Sequence, residues 1–276
     1  MARMPISAVC RLLLVLAATT PLHAQSTVDE LQTRLLSKPL YLRGFWKSDK
    51  LAFDSTGKLQ GDSETLPFTL SGIEITKVDL EPKTLILEGL RVAIVFDRYT
   101  PQRIVLQAGS PESKHDEQMH IEIEAPPGGD YASVLDAIFT DDLASFVPSL
   151  PTAWQNYASK NLLHGSPSSD PKTEQPARPP GMKRIGGGVL PPRVLQTVEP
   201  QFDEYARATK IAGRCLISLV VGSDGTLSQL SIVRPAGAGL DEKALEAVQR
   251  YVFSPATEDG KPVAVAVNIE VNFQIF

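Results

Sequence analysis

The last third of the chain carries a regular pattern of apolar and polar positions. From Val263 to Ile275 every second residue is apolar, and the residues between them are small or polar. A period of two puts one set of side chains against a core and the other toward water, as in a β-strand with one buried face. At about 3.3 Å per residue, the stretch from Val263 to Phe276 would reach roughly 45 Å, which is longer than most strands. We therefore expect part of this strand to present unpaired backbone groups.

Helical periodicity and turn residues predict four elements ahead of this strand: a helix from Pro200 to Ala212, strands from Arg214 to Val221 and from Thr226 to Arg234, and a helix from Asp241 to Arg250. On the second helix, Val248 is expected in the core, and Glu242 and Glu246 are expected to point outward. Three strands with two helices over one face form a small α+β sandwich, because each helix has a single apolar stripe to bury.

Residues 25–164 are predicted to form a separate β-rich domain. Thr27 and Glu30 form a capping-box pattern at the start of a first helix, and Asp54-Ser55-Thr56-Gly57 predicts a hairpin turn. Further strands are expected at 68–70, 73–80, 84–90, 92–96, 103–107 and 120–124, followed by helices at 131–139, 143–146 and 153–163. This order indicates an antiparallel sheet with flanking helices packed on one side.

The stretch from Gly165 to Pro180 is rich in proline, serine and charge and holds no large apolar residue. Such a composition cannot bury a core, so it predicts an extended, mobile linker. We place the linker at residues 165–185 and a second domain at residues 186–276, and we expect the two domains to fold independently. Gly186-Gly187-Gly188 lacks the spacing and the preceding strand of a phosphate-binding loop, which favours a hinge.

The first 24 residues have the pattern of a secretory signal peptide. Arg3 and Arg11 give a basic start, Leu12 to Ala18 is a short apolar run, and a cleavage point follows Ala24. The apolar run falls far short of the roughly 20 residues that a spanning helix needs, so an uncleaved inner-membrane anchor is the less favoured alternative. Such a segment predicts an exported protein.

The net charge and the number of cysteines restrict the classes of function that the chain could have. The formal net charge is −5, and removal of the first 24 residues, with their two arginines, makes it more negative by two. An acidic chain is not expected to bind nucleic acid. Cys10 would leave with the signal peptide, so Cys215 could form no intrachain disulfide. Its apolar neighbours predict a buried side chain and not a reactive thiol.

Residues with catalytic or metal-binding chemistry form no recognised pattern. His115, Asp116, Glu117 and His120 lie close together, but their spacing matches no standard ligand set, and alternation places His120 on the wet face of a strand. Ser223 lies in a Gly-Ser-Asp-Gly turn, and no histidine in the C-terminal domain could activate it. We therefore expect a protein that is not an enzyme, with no metal and no cofactor.

The order of short motifs in residues 190–276 resembles the C-terminal domain of the TonB energy-transducer family. The stretches that carry the resemblance are Glu199-Pro200-Gln201-Phe202, Asp224-Gly225, Leu240-Asp241 with Ala244, Phe253-Ser254-Pro255, Gly260-Lys261-Pro262-Val263 and Val271-Asn272-Phe273. The resemblance implies a periplasmic module that binds an extended strand. The chain departs from the family in Phe202-Asp203, where tyrosine and proline are common, in its predicted cleavable signal, and in its β-rich first domain.

Three functions are compatible with this sequence. The first is a periplasmic protein whose C-terminal domain binds an extended segment of an outer-membrane receptor or another envelope protein by strand addition, linked to transmembrane transport. The second is a true membrane-anchored energy transducer, and the third is a structural envelope-binding or self-associating protein without a transport role. For the first, the predicted contact residues lie on the polar face of the final strand: Asn268, Glu270, Asn272 and Gln274.

Overall fold

The computed structural model describes residues 25–106, 118–163, 174, 176 and 182–275. The predicted signal peptide, most of the predicted linker, and His115 to Glu117 lie outside these residues. Within the described part of the chain, no helix combines the length and apolar character needed to cross a membrane.

An eight-stranded sheet organises the described N-terminal residues, with strand order β3-β2-β7-β5-β4-β1-β8 and with β6 also paired to β5. Its elements are α1 (Val28–Leu35), β1 (Leu40–Leu42), β2 (Lys50–Phe53), β3 (Leu59–Gln60), β4 (Gly72–Leu80), β5 (Thr84–Asp97), β6 (Thr100–Val105), β7 (Gln118–Glu124), α2 (Ala132–Ile138), β8 (Phe139–Thr140) and α3 (Thr152–Asn161), with 3₁₀ turns at Phe68–Leu70, Pro127–Gly129 and Leu143–Ser149.

Two local signals in the N-terminal sequence form as predicted. At the start of α1, Glu30 N–H donates to Thr27 Oγ1 at 3.3 Å, and Thr27 N–H donates to Glu30 Oε2 at 2.9 Å, so the capping box satisfies two N–H groups that lack helical partners. In the β2–β3 hairpin, Asp54 N–H donates to the Lys58 carbonyl at 3.0 Å. Gly57 completes the turn with a φ of 85°, a conformation that suits glycine.

The strands predicted at 68–70, 84–90 and 92–96 differ from the structure. Phe68–Leu70 is a 3₁₀ turn and not a strand. Two strands predicted on either side of Arg91 are one strand of 14 residues, β5. Arg91 does not interrupt β5, because its buried guanidinium donates to the carbonyls of Leu70 and Lys47 and contacts Asp49 at 3.1 Å.

The sheet and its helices also differ from the simple antiparallel arrangement. The β2–β7 pair is parallel, whereas the other strand pairs of the described sheet are antiparallel. The described N-terminal residues contribute to two hydrophobic cores. The first packs α1 and α2 against the sheet, and the second contains α3 and continues into the C-terminal domain.

A three-stranded antiparallel sheet, β12-β11-β16, forms the centre of the C-terminal domain, and the predicted α+β sandwich is confirmed. The described elements are β9 (Val189–Leu190), β10 (Arg193–Gln196), α4 (Glu204–Ala208), β11 (Gly213–Val221), β12 (Leu227–Arg234), α5 (Leu240–Val248), β13 (Val252–Ser254), β14 (Ala256–Glu258), β15 (Lys261–Val263) and β16 (Val265–Phe273). The small sheets β15-β14-β9 and β10-β13 were not predicted.

The first helix and the final strand of this domain are shorter than predicted. Asp203 caps α4 by accepting the Tyr205 N–H at 2.9 Å, and the helical turn ends before Lys210, whose φ is 56°. The predicted final strand is split into β15 and β16, and β16 pairs with β11 along its whole length. The expected overhang beyond its neighbours is therefore absent from the described strand.

The N-terminal and C-terminal parts pack directly against each other. Ala238 N–H donates to the Ile94 carbonyl at 2.8 Å, and Phe96 N–H donates to the Ala236 carbonyl at 3.1 Å. Trp154 on α3 is fully buried in the core that both parts share. No pattern in the sequence predicts this contact.

Candidate strand-docking edge

The hydrogen bonds of the β11–β12 hairpin determine which backbone groups of β16 face outward. Gly222 N–H donates to the Thr226 carbonyl at 2.8 Å, toward β12. Successive residues of a strand direct their N–H and C=O groups to opposite sides. The groups of Val221 therefore point toward β16, where Val265 is its partner.

This alternation continues along β16, because the β11–β16 register has no bulge between Val221–Val265 and Gly213–Phe273. The odd-numbered residues of β16 direct their backbone groups toward β11. The even-numbered residues direct theirs away from the sheet, and they include Asn268, Glu270 and Asn272. Three of the four predicted contact residues thus have outward-facing N–H and C=O groups. Gln274 lies one residue beyond the end of β16 and is exposed.

The N-terminal end of this edge is already used by the chain itself. Lys183 forms a parallel bridge with Val265 and donates its N–H to the Ala264 carbonyl at 3.3 Å. Ala264 is an even-numbered position, so this bond agrees with the alternation of the strand. No other described residue pairs with this side of β16. We define the docking edge as the outward-facing backbone from Asn268 to Asn272.

Two of the side chains along the docking edge form hydrogen bonds within the chain that the sequence did not predict. Glu270 accepts a hydrogen bond from Arg234 Nη2 at 2.6 Å, and Arg234 Nη1 also donates to Glu174 at 2.8 Å. Asn268 Nδ2 donates to the Glu174 carbonyl. Asn272 is exposed. Intrachain bonds therefore hold two of the predicted side chains, while the outward backbone groups are positioned by the β11 ladder.

The structure also places Cys215 and His120, two residues that the sequence offered as candidates for reactive or metal-binding chemistry. Cys215 is fully buried, as predicted, and burial raises the pKa of its thiol well above the usual value. His120 is part-exposed on β7, with Nε2 at 3.0 Å from Glu122 Oε1. Among the described residues, no group of three or more His, Cys, Asp or Glu side chains could hold a metal ion.

The fold is a small α+β domain whose strand β16 has outward-facing backbone groups from Asn268 to Asn272. The sequence model of the family described as Gram-negative bacterial TonB protein C-terminal matches residues 198–275. These residues are a TonB C-terminal domain.

Two known proteins are similar to the same part of the chain. TonB of Vibrio cholerae is 30% identical over 86 residues, which make up 31% of this chain and 35% of the Vibrio protein. The solution NMR structure of the Pseudomonas aeruginosa TonB C-terminal domain matches with 21% identity and a TM-score of 0.27, over 33% of this chain and 90% of that one. The chain thus spans about a third of the length of the curated relative.

Proposed function

We propose that this chain is a periplasmic protein whose TonB C-terminal domain binds an extended segment of an outer-membrane receptor, or of another envelope protein, by strand addition at the docking edge. The role is one of binding and not of catalysis, and it links the chain to transmembrane transport. Export with cleavage after Ala24 belongs to the same proposal.

The observation that carries the proposal is the outward backbone of β16. Backbone N–H and C=O groups demand partners, and an unpaired edge is a template for an added strand. Main-chain bonds would provide the affinity, and the period of two would set the register of the bound segment. Asn268, Glu270 and Asn272 supply these groups in the domain that matches the TonB family.

Site-specific photocrosslinking in intact cells tests the proposal. A photoreactive residue replaces Asn272 beside the docking edge, and a matched one replaces Gln249, which is exposed at the end of α5. We expect position 272 to crosslink to an outer-membrane receptor or another envelope protein, with the adduct mapping to an extended segment of that partner. Equal adducts from both positions, or adducts only from position 249, would contradict docking at β16.

A further inference from the structure

A cavity of about 470 Å³ lies where the N-terminal part meets helix α5 of the C-terminal domain. Its apolar wall comes from the N-terminal part and includes Phe45, Phe68, Leu150 and Pro151. Its polar wall comes from the C-terminal domain and consists of Asp203, Glu242, Lys243 and Glu246. The cavity is separate from the docking edge, and the inference drawn from it does not depend on the proposed function.

Glu242 is the unusual residue of this cavity. The helical pattern predicted that its side chain points outward into water, and this prediction is wrong. Its Oε1 accepts a hydrogen bond from Trp154 Nε1 at 2.9 Å. Its Oε2 is buried and has no hydrogen-bond partner among the described residues. A buried carboxyl oxygen without a hydrogen-bond partner is costly, so such an atom is expected to have a partner in at least one functional state.

The groups that face Glu242 do not supply a positive charge for it. Lys243, the cation of the polar wall, pairs with Glu246 at 3.4 Å. Asp203 accepts the N–H of Tyr205, and Asp241, which precedes Glu242, is fully buried and accepts two backbone N–H groups. Carboxyl groups therefore outnumber the lysine around this cavity.

The directions in which the pKa values of these carboxyl groups are shifted agree with this imbalance of charge. Burial raises the pKa of Glu242 to about 8, and the negative charge of Asp241 adds to the increase. Burial also raises the pKa of Asp203. Burial is the largest cause of both shifts, and a cation bound beside Glu242 would lower its pKa again.

We propose that this cavity binds a lysine side chain of a peptide partner, with Glu242 turning its unpartnered Oε2 into the cavity to accept a hydrogen bond from the ammonium group. Lysine fits better than arginine, because an arginine fork uses both oxygens of a carboxylate and Trp154 already occupies Oε1. The aromatic, leucine and proline wall suits the four-carbon stem of lysine.

Titration of the full-length protein with Nα-acetyl-lysine N-methylamide tests the proposal. The chain has two tryptophans, so the indole N–H resonance of Trp154 in an NMR spectrum is assigned by its loss in Trp154→Phe. We expect this resonance to shift on binding. At pH 7 binding should also release a proton, because the raised pKa keeps Glu242 protonated before the cation enters. Calorimetry in two buffers of different ionisation enthalpy measures that proton.

Matched ligands and variants distinguish recognition of the lysine charge from simple apolar binding. The norleucine analogue keeps the stem without the charge and should bind at least about tenfold more weakly, a difference of about 1.4 kcal/mol. Glu242→Gln keeps an oxygen for Trp154 but loses the charge, and it should lose both the tight binding and the proton release. Glu81→Gln makes the same substitution at an exposed position between β4 and β5, outside the cavity lining, and should change the affinity by no more than about twofold, as an exposed charge contributes little.

Three results would overturn the proposal. One is equal binding of the lysine and norleucine compounds. Another is unchanged binding in a folded Glu242→Gln variant, with folding checked by circular dichroism. The third is binding of free n-butylamine but not of the lysine amide, which would exclude a peptide as the source of the ammonium group.

Discussion

Asp241 and Glu242 are adjacent carboxyl groups on α5 with different surroundings. Asp241 accepts the N–H groups of Ala236 and Gly237, each at 2.7 Å, and so fixes the loop before α5. Glu242 reaches Trp154 of the N-terminal part with one oxygen. Burial raises the pKa of both carboxyl groups. One residue therefore organises the domain internally, and its neighbour joins the domain to the rest of the chain.

The raised pKa of Glu242 predicts how stability depends on pH. The unfolded chain releases the Glu242 proton near the ordinary pKa of 4.5, whereas the folded chain holds it to about pH 8. The contribution of this group to stability is therefore fully present below pH 4.5 and is lost as the pH rises toward 8. We expect the Tm to fall by roughly 5 °C or more between pH 5 and pH 8.

The variant Glu242→Gln provides the control for this prediction. It should flatten the dependence on pH, leaving a smaller slope from Asp203 and Asp241, whose pKa values are also raised. Thermal unfolding followed by circular dichroism at several pH values measures both proteins. An equal slope in the two proteins would show that Glu242 does not titrate with folding.

At the scale of elements, the segment from Pro235 to Gly239 acts almost as an added strand beside β5. It exchanges backbone hydrogen bonds with Ile94 and Phe96, and Val95 and Gly237 form an antiparallel bridge. Gly237 has a φ of 90°. A Cβ atom there would lie 2.2 Å from the Ile94 carbonyl oxygen, which is too close for any side chain. The contact between the two parts of the chain therefore requires glycine at this position.

Replacing Gly237 with alanine should weaken this contact. Gly61→Ala is the matched control, because Gly61 has a φ of 85° and its added Cβ would meet nothing within 4 Å. Both variants carry the strain of a positive φ, of about 1 kcal/mol, but only Gly237→Ala also meets a backbone clash.

We expect Gly237→Ala to lose at least about 2 kcal/mol more of the free energy of unfolding than Gly61→Ala. Calorimetry should then resolve two unfolding transitions where the parent shows one. Equal stabilities of the two variants would show that this segment can move away from β5 at little cost.

Several elements could be predicted from the sequence because their signals are local. The capping box of α1, the Asp54–Gly57 hairpin turn and the alternation of β16 each depend on neighbouring residues. Phe68–Leu70 was misassigned because a three-residue apolar run carries no period that distinguishes a strand from a turn. The β2–β7 pairing is parallel between segments far apart in the chain, and no local pattern reports such a pairing.

At the scale of the whole molecule, the hydrophobic core shared by the two parts of the chain could not be predicted from the sequence. Trp154 and Glu242 are 88 residues apart in the chain and are brought together by the packing of its two parts. On a helix, a glutamate at a polar position is normally solvated, so its burial depends entirely on the neighbouring domain. The polar face of β16 was easier to anticipate, because the alternation along this strand identifies it. The use of the edge by Lys183, and the bonds of Glu174 to Arg234, could not be anticipated.

The comparison of Asn272→Pro with Asn272→Ala tests strand addition at the docking edge most directly. The N–H of Asn272 points away from β11, so proline removes an outward donor without breaking a bond to β11, and the variant should stay folded by circular dichroism. Alanine keeps the donor. We expect proline to weaken binding to proteins of the native outer membrane at least about tenfold, and alanine to change it by no more than about twofold. If the folded proline variant binds as tightly as the parent, recognition does not use this edge, and strand addition at β16 is wrong.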